Sequence, residues 1–465
     1  MISLERSSGV LEKHFSSTLS AIIKNQVDVN IHKGIAVAYS GGLDSSVLLK
    51  LSVEFALERQ IPIFAFHIHH GLSSNADQWL SHCQMHSERA GARFFSVRVD
   101  VAENQKGGLE ARARAKRYFA LGQLCIENEI PLLLAAHHQD DQAETVLLQL
   151  LRGSGVAGLS GMDLFNFAPT LLGSSATLLA RPLLSQSKQV LKNYAEKCGI
   201  QYVDDESNLD SRFARNALRH KVIPEISKIS SAYSELLSRS AQHAQSAQRL
   251  LIELAILDLK DVLSFDSLDI ARIRNLSHDR VENLLRFWLS SLGVRMPSTA
   301  RLKEIRSQLF GARSDAKITI FHDGLEIHRY QNRIYASHQN SNAPDTLALV
   351  EFVWAGESSM HFPKFSGRLF FDTSTYGVDV SWLKVQKLTL RQRHGGERLK
   401  LAENRPTRDL KSHFQALKIP FWQRKMLPVL CIGESLVHAT SVGTDASFCQ
   451  QGNAGLVNFR WQADS

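Results

Sequence analysis

Six consecutive residues, Ser40-Gly41-Gly42-Leu43-Asp44-Ser45, combine side chains and backbone freedom suited to gripping a phosphate chain. Two glycines let the backbone turn tightly and bring N–H groups to an anion with no Cβ in the way. The run lies between an apolar stretch, Gly34–Tyr39, and an amphipathic one, Ser45–Arg59, so it reads as a strand-to-helix turn. The helix N-terminus adds partial positive charge, and the serine hydroxyls add donors. Asp44 would repel phosphate; its sensible role is to hold a Mg²⁺ that bridges phosphate oxygens. Ser-Gly-Gly alone is equally an N-capped βα turn. The full run at the end of the first strand favours a nucleotide site, because ligands of open α/β sheets bind at that edge. GxxxxGK[ST] is absent, which excludes a kinase-type phosphate loop. Gly153–Gly158 spells GxGxxG, but it follows a helical stretch, where a dinucleotide fingerprint must follow a strand.

Two further clusters stand at predicted strand ends: His67-Ile68-His69-His70-Gly71-Leu72, and His137-His138-Gln139-Asp140-Asp141-Gln142-Ala143-Glu144-Thr145. Asp141 and Glu144 are three apart, on one face of a first helical turn. Like charges there cost stability unless a cation, metal or amine, sits between them; the plainer reading is acids complementing the helix dipole. Zinc is disfavoured, since neither cysteines nor an HxxxH helix spacing accompanies these histidines. Glu110, Arg114 and Arg117 recur on one helical face, as do Arg212, Arg215 and Arg219 with Asn216 beside them. Such stripes hold phosphate or polyanion, or make exposed ion pairs. Between Arg391 and Lys425, ten Lys/Arg face three acids, a net +7 that holds nearly all of the chain's +8. Arg391, Arg393, Lys411 and Arg424 belong to it, with Phe414, Phe421 and Trp422 interleaved. Cations beside flat faces suit nucleic acid; a solvated basic face is the alternative.

These residues need a frame. The first ~225 residues alternate apolar strands with helices of ten residues or more, which argues for βαβ units and a buried parallel sheet. From Ile226 to about Gly311 the pattern reads as helices only, with apolar faces at Leu236, Leu250 and Leu254 and at Val281, Leu284 and Trp288. Ala316–Ser337 reads as a hairpin around Asp323-Gly324, and 338–350 as a linker. Short strands surround the basic segment beyond. The expected division is therefore an α/β domain over 1–225, a mainly helical one over 226–340 and a small α+β domain over 350–465. With 465 residues, 44% hydrophobic and 22% charged, the chain is long enough for about three domains. Wholesale disorder and collagen-like structure are excluded. No stretch reaches a membrane span, and no secretory signal is visible. Five cysteines without CxxC disfavour a disulfide scaffold, a zinc ribbon or a dithiol centre, so a cytoplasmic setting is expected.

SGGLDS, HHGL, GLEARARAKRY, AAHHQDDQAET, LLRGSGVAGLSGM, RPLL and DDESNLDSRFARNALR follow one another in that order. Together they resemble the N-type ATP pyrophosphatases with their adenine nucleotide alpha hydrolase-like fold, and within them the tRNA(Ile)-lysidine synthetases. The resemblance is dense over 34–224 and resumes at RHGGERLK and LKIPFWQR, similar to the C-terminal domain of the family's long form. It departs at Asp204-Asp205-Glu206-Ser207-Asn208, which lacks a usual proline.

The resemblance implies a two-step ligation. ATP adenylates the O2 of the wobble cytidine in tRNA(Ile) with a CAU anticodon, and free L-lysine then displaces AMP. It implies ATP contacts from Ser40 to Ser45, His69, Arg114 and His137, with Mg²⁺ on Asp44. Asp141 and Glu144 become the candidates for the seat and base of the amine, with His137 a weaker one, Arg117 steadies phosphate charge, and Arg215, Asn216 and Arg219 lie near the nucleotide or inserted base. Arg391, Arg393, Lys411, Trp422 and Arg424 would face the tRNA. A homodimer stays open. A tRNA thiolase would need cysteine chemistry, a small-molecule amidase a glutaminase domain, and a non-enzymatic tRNA-binding module would carry a damaged phosphate loop.

Overall fold

In the computed structural model the chain forms two compact units, Met1–Ile252 and Glu253–Ser465. Residues 2–464 are described apart from 27–29, 70, 72–74, 101–108, 204–213, 265, 312, 314–317 and 339–347; for 2–8, 109–111 and 453–454 only the backbone is. His70, Leu72, Gly107-Gly108, the Glu110 side chain, Asp204–Asn208, Arg212 and most of the expected linker therefore lie outside the described residues.

The first unit alternates strand and helix: α1 (Ile2–Lys24), β1 (Ile35–Ala38), α2 (Leu43–Arg59), β2 (Ile63–His69), α3 (Ala76–Arg89), β3 (Arg93–Arg98), α4 (Leu109–Glu127), β4 (Leu132–Leu134) and α5 (Gln139–Leu151). Short helices α6 (Val156–Leu159) and α7 (Pro169–Leu172) accompany β5 (Phe165–Phe167) and β6 (Leu178–Ala180), and α8 (Lys188–Cys198) follows. The sheet order is β3-β2-β1-β4-β6-β5, parallel throughout except for β5 at the edge. Strands with both faces covered must be apolar on both, and β1 obeys: Ile35 and Val37 join the α1–α2–α8 core while Ala36 joins the α4 core. Helix α1 was not anticipated, yet Leu11, Phe15, Leu19 and Ile22 recur at helical spacing and are all buried. On the opposite face α4 and α7 pack so closely that a Cβ on Gly122 would stand 1.8 Å from the Leu172 carbonyl oxygen. Strand order reverses between β1 and β4, so the segments leaving these two strands open onto one crevice.

After α9 (Ala214–Ala217), a π-helical turn (Leu218–Val222) and α10 (Ile223–Ile229), the 30-residue α11 (Tyr233–Val262) begins. The expectation of helices alone up to Gly311 fails at one place. β7 (Leu263–Ser264) and β8 (Ser267–Asp269) interrupt them, because β8 pairs with the hairpin sheet further on. Helices α12 (Ile270–Ile273), α13 (His278–Ser291) and α14 (Thr299–Gly311) pack on that sheet, ordered β7-β8-β11-β10-β9. Its β9 (Ile318–His322) and β10 (Leu325–Tyr330) turn at Asp323-Gly324, both at positive φ, and β11 (Arg333–His338) completes it. Val281, Leu284 and Trp288 on α13 are buried as their spacing predicts.

The C-terminal part is sheet-rich. It comprises β12 (Leu349–Val353), β13 (Ser359–Phe362), β14 (Gly367–Asp379), α15 (Val380–Lys384), β15 (Lys387–Arg391), β16 (Arg398–Leu399), β17 (Arg408–Asp409), α16 (Leu410–Ala416), β18 (Val429–Ile432), β19 (Ser435–Ala439), β20 (Gly443–Thr444) and β21 (Gln450–Ala463). Sheets β12-β15-β18-β19-β20 and β13-β14-β21 enclose a core with Trp354 stacked on Phe371. No helix among the described residues is long and apolar enough to cross a membrane.

Candidate active site

The Ser40–Ser45 loop leaves β1 and is tied into one shape by its own serines. Ser45 Oγ donates to the Gly42 carbonyl at 3.0 Å and accepts from the Ser40 N–H, and Ser46 Oγ donates to the Gly41 carbonyl. Ser45 is buried, so its hydroxyl holds the loop rather than reaching outward, while Ser40 stays exposed. Gly41 sits at φ 84°, and a Cβ there would meet Cys83 Sγ at 2.7 Å. Helix α2 starts at Gly42 with no side chain capping its first amides, leaving those donors for an anion.

Asp44 stands in the first turn of α2. One carboxylate oxygen, Oδ2, lies 3.6 Å from His138 Nε2; the other, Oδ1, is buried with no hydrogen-bond partner. A bare, buried carboxylate oxygen beside a phosphate loop fits Mg²⁺, a hard cation that takes few protein ligands and completes its shell with phosphate and water. Burial alone would raise the Asp44 carboxyl; the His138 ring, with Lys188 and Arg219 beyond it, holds it below the usual carboxylate range. The carboxylate is thus ionised at neutral pH. No group of three His, Cys, Asp or Glu among the described residues is arranged to hold a metal by itself. An HxxxH pair does exist away from the two motifs, His82 and His86 on α3, whose rings lie 4.1 Å apart.

Beyond β4, His138 caps α5: its Nδ1 accepts from the Asp141 N–H, and the Asp141 carboxylate accepts from the His138 N–H. Burial would lower the His138 ring, but Asp44, Asp141 and Asp140 raise it. Asp141 and Glu144 do share a face, and the cation between them is supplied by the protein. Arg215 Nε donates to Glu144 at 2.7 Å and its Nη2 to Asp141 at 3.2 Å; Arg219 Nε donates to the other Glu144 oxygen at 2.7 Å. The Glu144 side chain is only 2% exposed. Asp140 points elsewhere, accepting from the Lys188 N–H and the Tyr233 hydroxyl. Asn216 is half-buried in the same α9 segment.

His137 is buried, with Nε2 3.3 Å from the Tyr118 hydroxyl. Burial, then the charges of Arg181, Arg114, Arg215 and Arg117, push it well below an ordinary imidazole, so it is neutral and a weak base. Arg114 and Arg117 are half-buried, their guanidiniums 5.0 and 5.4 Å from the Tyr118 ring centre. Burial lowers Arg117 as well, Arg114 and Arg215 adding to it. His69 lies 3.3 Å from Asp77 at the end of β2. The thiols of Cys83 and Cys125 are pushed up to about 12 by burial, which leaves them inert at neutral pH.

In the C-terminal part the expected tRNA-facing residues separate. Lys411 is exposed on α16. Arg391 is turned inward, 14% exposed and bonded to Glu397 at 3.0 Å. Arg393 lies 5.7 Å from the centre of the Phe414 ring, itself fully buried and so part of the core rather than a stacking face. Trp422 stacks on His328 at 4.1 Å, and Arg424 is buried, donating to the Ile419 carbonyl and the Tyr330 hydroxyl. His138 stands in a quoted motif, but nothing in the spacing separates it from its neighbours.

A doubly covered parallel sheet with this loop at its switch point defines the class, and residues 11–226 match the PP-loop domain. Residues 268–335 match the TilS substrate binding domain and 388–461 the TilS substrate C-terminal domain. A tRNA(Ile)-lysidine synthase from Burkholderia pseudomallei is 37% identical over 464 residues, covering 92% of this chain and 93% of that one. Another, from Ralstonia nicotianae, is 38% identical over 432 residues, covering 91% and 92%. Among solved structures, a U34-tRNA thiolase from Methanococcus maripaludis with its 4Fe-4S cluster aligns at 16% identity and TM-score 0.43, over 51% of this chain and 80% of that one. The chain belongs to the tRNA(Ile)-lysidine synthase family and is an enzyme, an ATP-using ligase.

Proposed function

We propose that this enzyme adenylates the wobble cytidine of tRNA(Ile) bearing a CAU anticodon and then ligates L-lysine to its C2. The observation that carries the reading is the meeting, at one sheet edge, of the Asp44 loop and the Asp141–Glu144–Arg215–Arg219 cluster, with His138 Nε2 3.6 Å from Asp44 and 3.4 Å from Asp141. In the first step the cytidine O2 attacks the α-phosphorus, and pyrophosphate leaves with the electrons of the broken P–O bond. A pyrimidine oxygen is a poor leaving group; as an AMP ester it is a good one. The loop amides and the α2 N-terminus grip the departing pyrophosphate. Asp44 would hold Mg²⁺, which supplies charge neutralisation on the phosphates. Arg114 and Arg117 face the developing negative charge.

In the second step the lysine side-chain amine attacks C2, the C2–O2 bond breaks and AMP takes the electron pair. That amine, with an ordinary pKa of ~10.4, must first lose a proton and then shed a second after attack. Asp141 and Glu144 are the acceptors. A free amino acid carries both an ammonium and a carboxylate, and acids paired with Arg215 and Arg219 offer partners for each. Residues 1–225 serve as catalytic domain, and 226–340 and 350–465 hold the tRNA. Lys411 and its exposed neighbours Arg405 and Arg408 contact phosphates, while Arg391, Arg393, Trp422 and Arg424 brace the surface behind them. Labelled lysine, ATP and a panel of tRNA transcripts test the reading: lysine should appear in the wobble nucleoside of the CAU isoleucine tRNA alone. Label on no tRNA, or on the CAU methionine tRNAs equally, would overturn it.

A further inference from the structure

One imidazole touches both halves of the proposed site. His138 ends the segment after β4 in an extended conformation (φ −123°, ψ 180°) and caps α5. Its Nδ1 lone pair is committed to the Asp141 N–H at 3.3 Å, so the ring proton sits on Nε2. Nε2 lies 3.4 Å from Asp141 Oδ2 and 3.6 Å from Asp44 Oδ2. The His138 side chain is only 2% exposed, so bulk water does not compete for that proton. The ring thereby faces Asp44 Oδ2 across 3.6 Å, while Oδ1, buried and unpartnered, is presented at the phosphate loop.

We propose that His138 is a positioning residue that fixes the Asp44 carboxylate against Asp141, so that one ring sets both the cation-holding oxygen and the acid of the amine seat. The proposal rests on the metal role assigned to Asp44. Without the ring, the Asp44 side chain is free to rotate and Oδ1 loses its fixed aim. Partners that orient a ligand in this way are worth 10–100-fold in metal affinity.

The test is binding of the α,β-methylene analogue of ATP, measured by calorimetry across a series of Mg²⁺ concentrations. Asn at 138 puts its amide near the Nδ1 position and keeps a helix cap; Gln puts its amide near Nε2. Asp44→Asn should abolish the Mg²⁺ dependence. His138→Asn should melt close to the unsubstituted protein yet need about 10-fold or more Mg²⁺ for half-maximal binding, and His138→Gln should recover part of that loss. A wild-type Mg²⁺ requirement in His138→Asn overturns the proposal while leaving the metal reading intact. A wild-type requirement in Asp44→Asn removes the metal reading and the proposal with it. If His138→Asn melts far below wild type, His138→Gln against His138→Ala decides: tighter Mg²⁺ use by Gln supports the tether, and equality sinks it.

Discussion

A carboxylate with one oxygen facing an imidazole and the other bare is built to bind a cation, and the first prediction concerns Asp44. Asp44→Ala should abolish pyrophosphate release in the presence of tRNA; near-normal release would remove the residue from the metal site. Glu144 accepts from two arginines with both oxygens. Glu144→Gln should leave ATP binding largely intact and stop lysine incorporation. It should also cost about 1–3 kcal/mol of stability, because a neutral amide cannot satisfy two guanidiniums; ordinary turnover in that variant would refute the acid's role. Asp44, Asp141, Glu144 and the Arg215–Arg219 stripe were legible because residue type and spacing alone place them at strand ends and on helix faces. Their pairing was not. Asp44 faces His138, and Asp141 and Glu144 take Arg215 and Arg219, from segments distant in the chain, and no local pattern encodes those choices.

Among the elements, strands β1, β2 and β4 were readable as continuous apolar runs, and α13 as an apolar stripe. The short β7 and β8 were not, since a two- or three-residue strand has no period and exists only by virtue of its neighbour. Strand β19 carries a testable consequence of burial. His438, bonded to Thr444 at 3.0 Å, is held down at about 4 by burial. Between that value and ~6.5 the unfolded chain takes up a proton that the folded chain refuses, so stability rises with pH through this window and falls away toward pH 4. The full effect is about 3 kcal/mol at roughly 1.4 kcal/mol for each pH unit. Urea midpoints of the second unit at pH 4.5 and 7 should therefore differ, and His438→Gln should narrow the gap. An unaltered gap would assign the proton to another group.

Across the whole molecule the excess charge is confined to one segment, and the structure divides that segment by exposure. Phosphate contacts release counterions, so each one lost lowers the salt slope of tRNA binding by about 1. Arg408→Glu and Lys411→Glu, both exposed, should weaken tRNA binding and flatten its salt dependence. Arg391→Gln should instead loosen the fold around Glu397, with little change in slope. An unchanged slope in the Arg408 and Lys411 variants would make this face a bystander. Composition located the charge; only packing could show that Phe414 and Arg424 spend their surface on the interior. The long β14–β21 ladder pairs Gly367 with Ala463 and Leu369 with Trp461, so β21 closes on a strand laid down far earlier. During biosynthesis the first unit can mature while the second is still being translated, whereas the second must wait until β21 has left the ribosome. Loss of β21 would therefore cripple a whole module, and nascent molecules pass a vulnerable interval in which their basic segment is already made but has no finished scaffold.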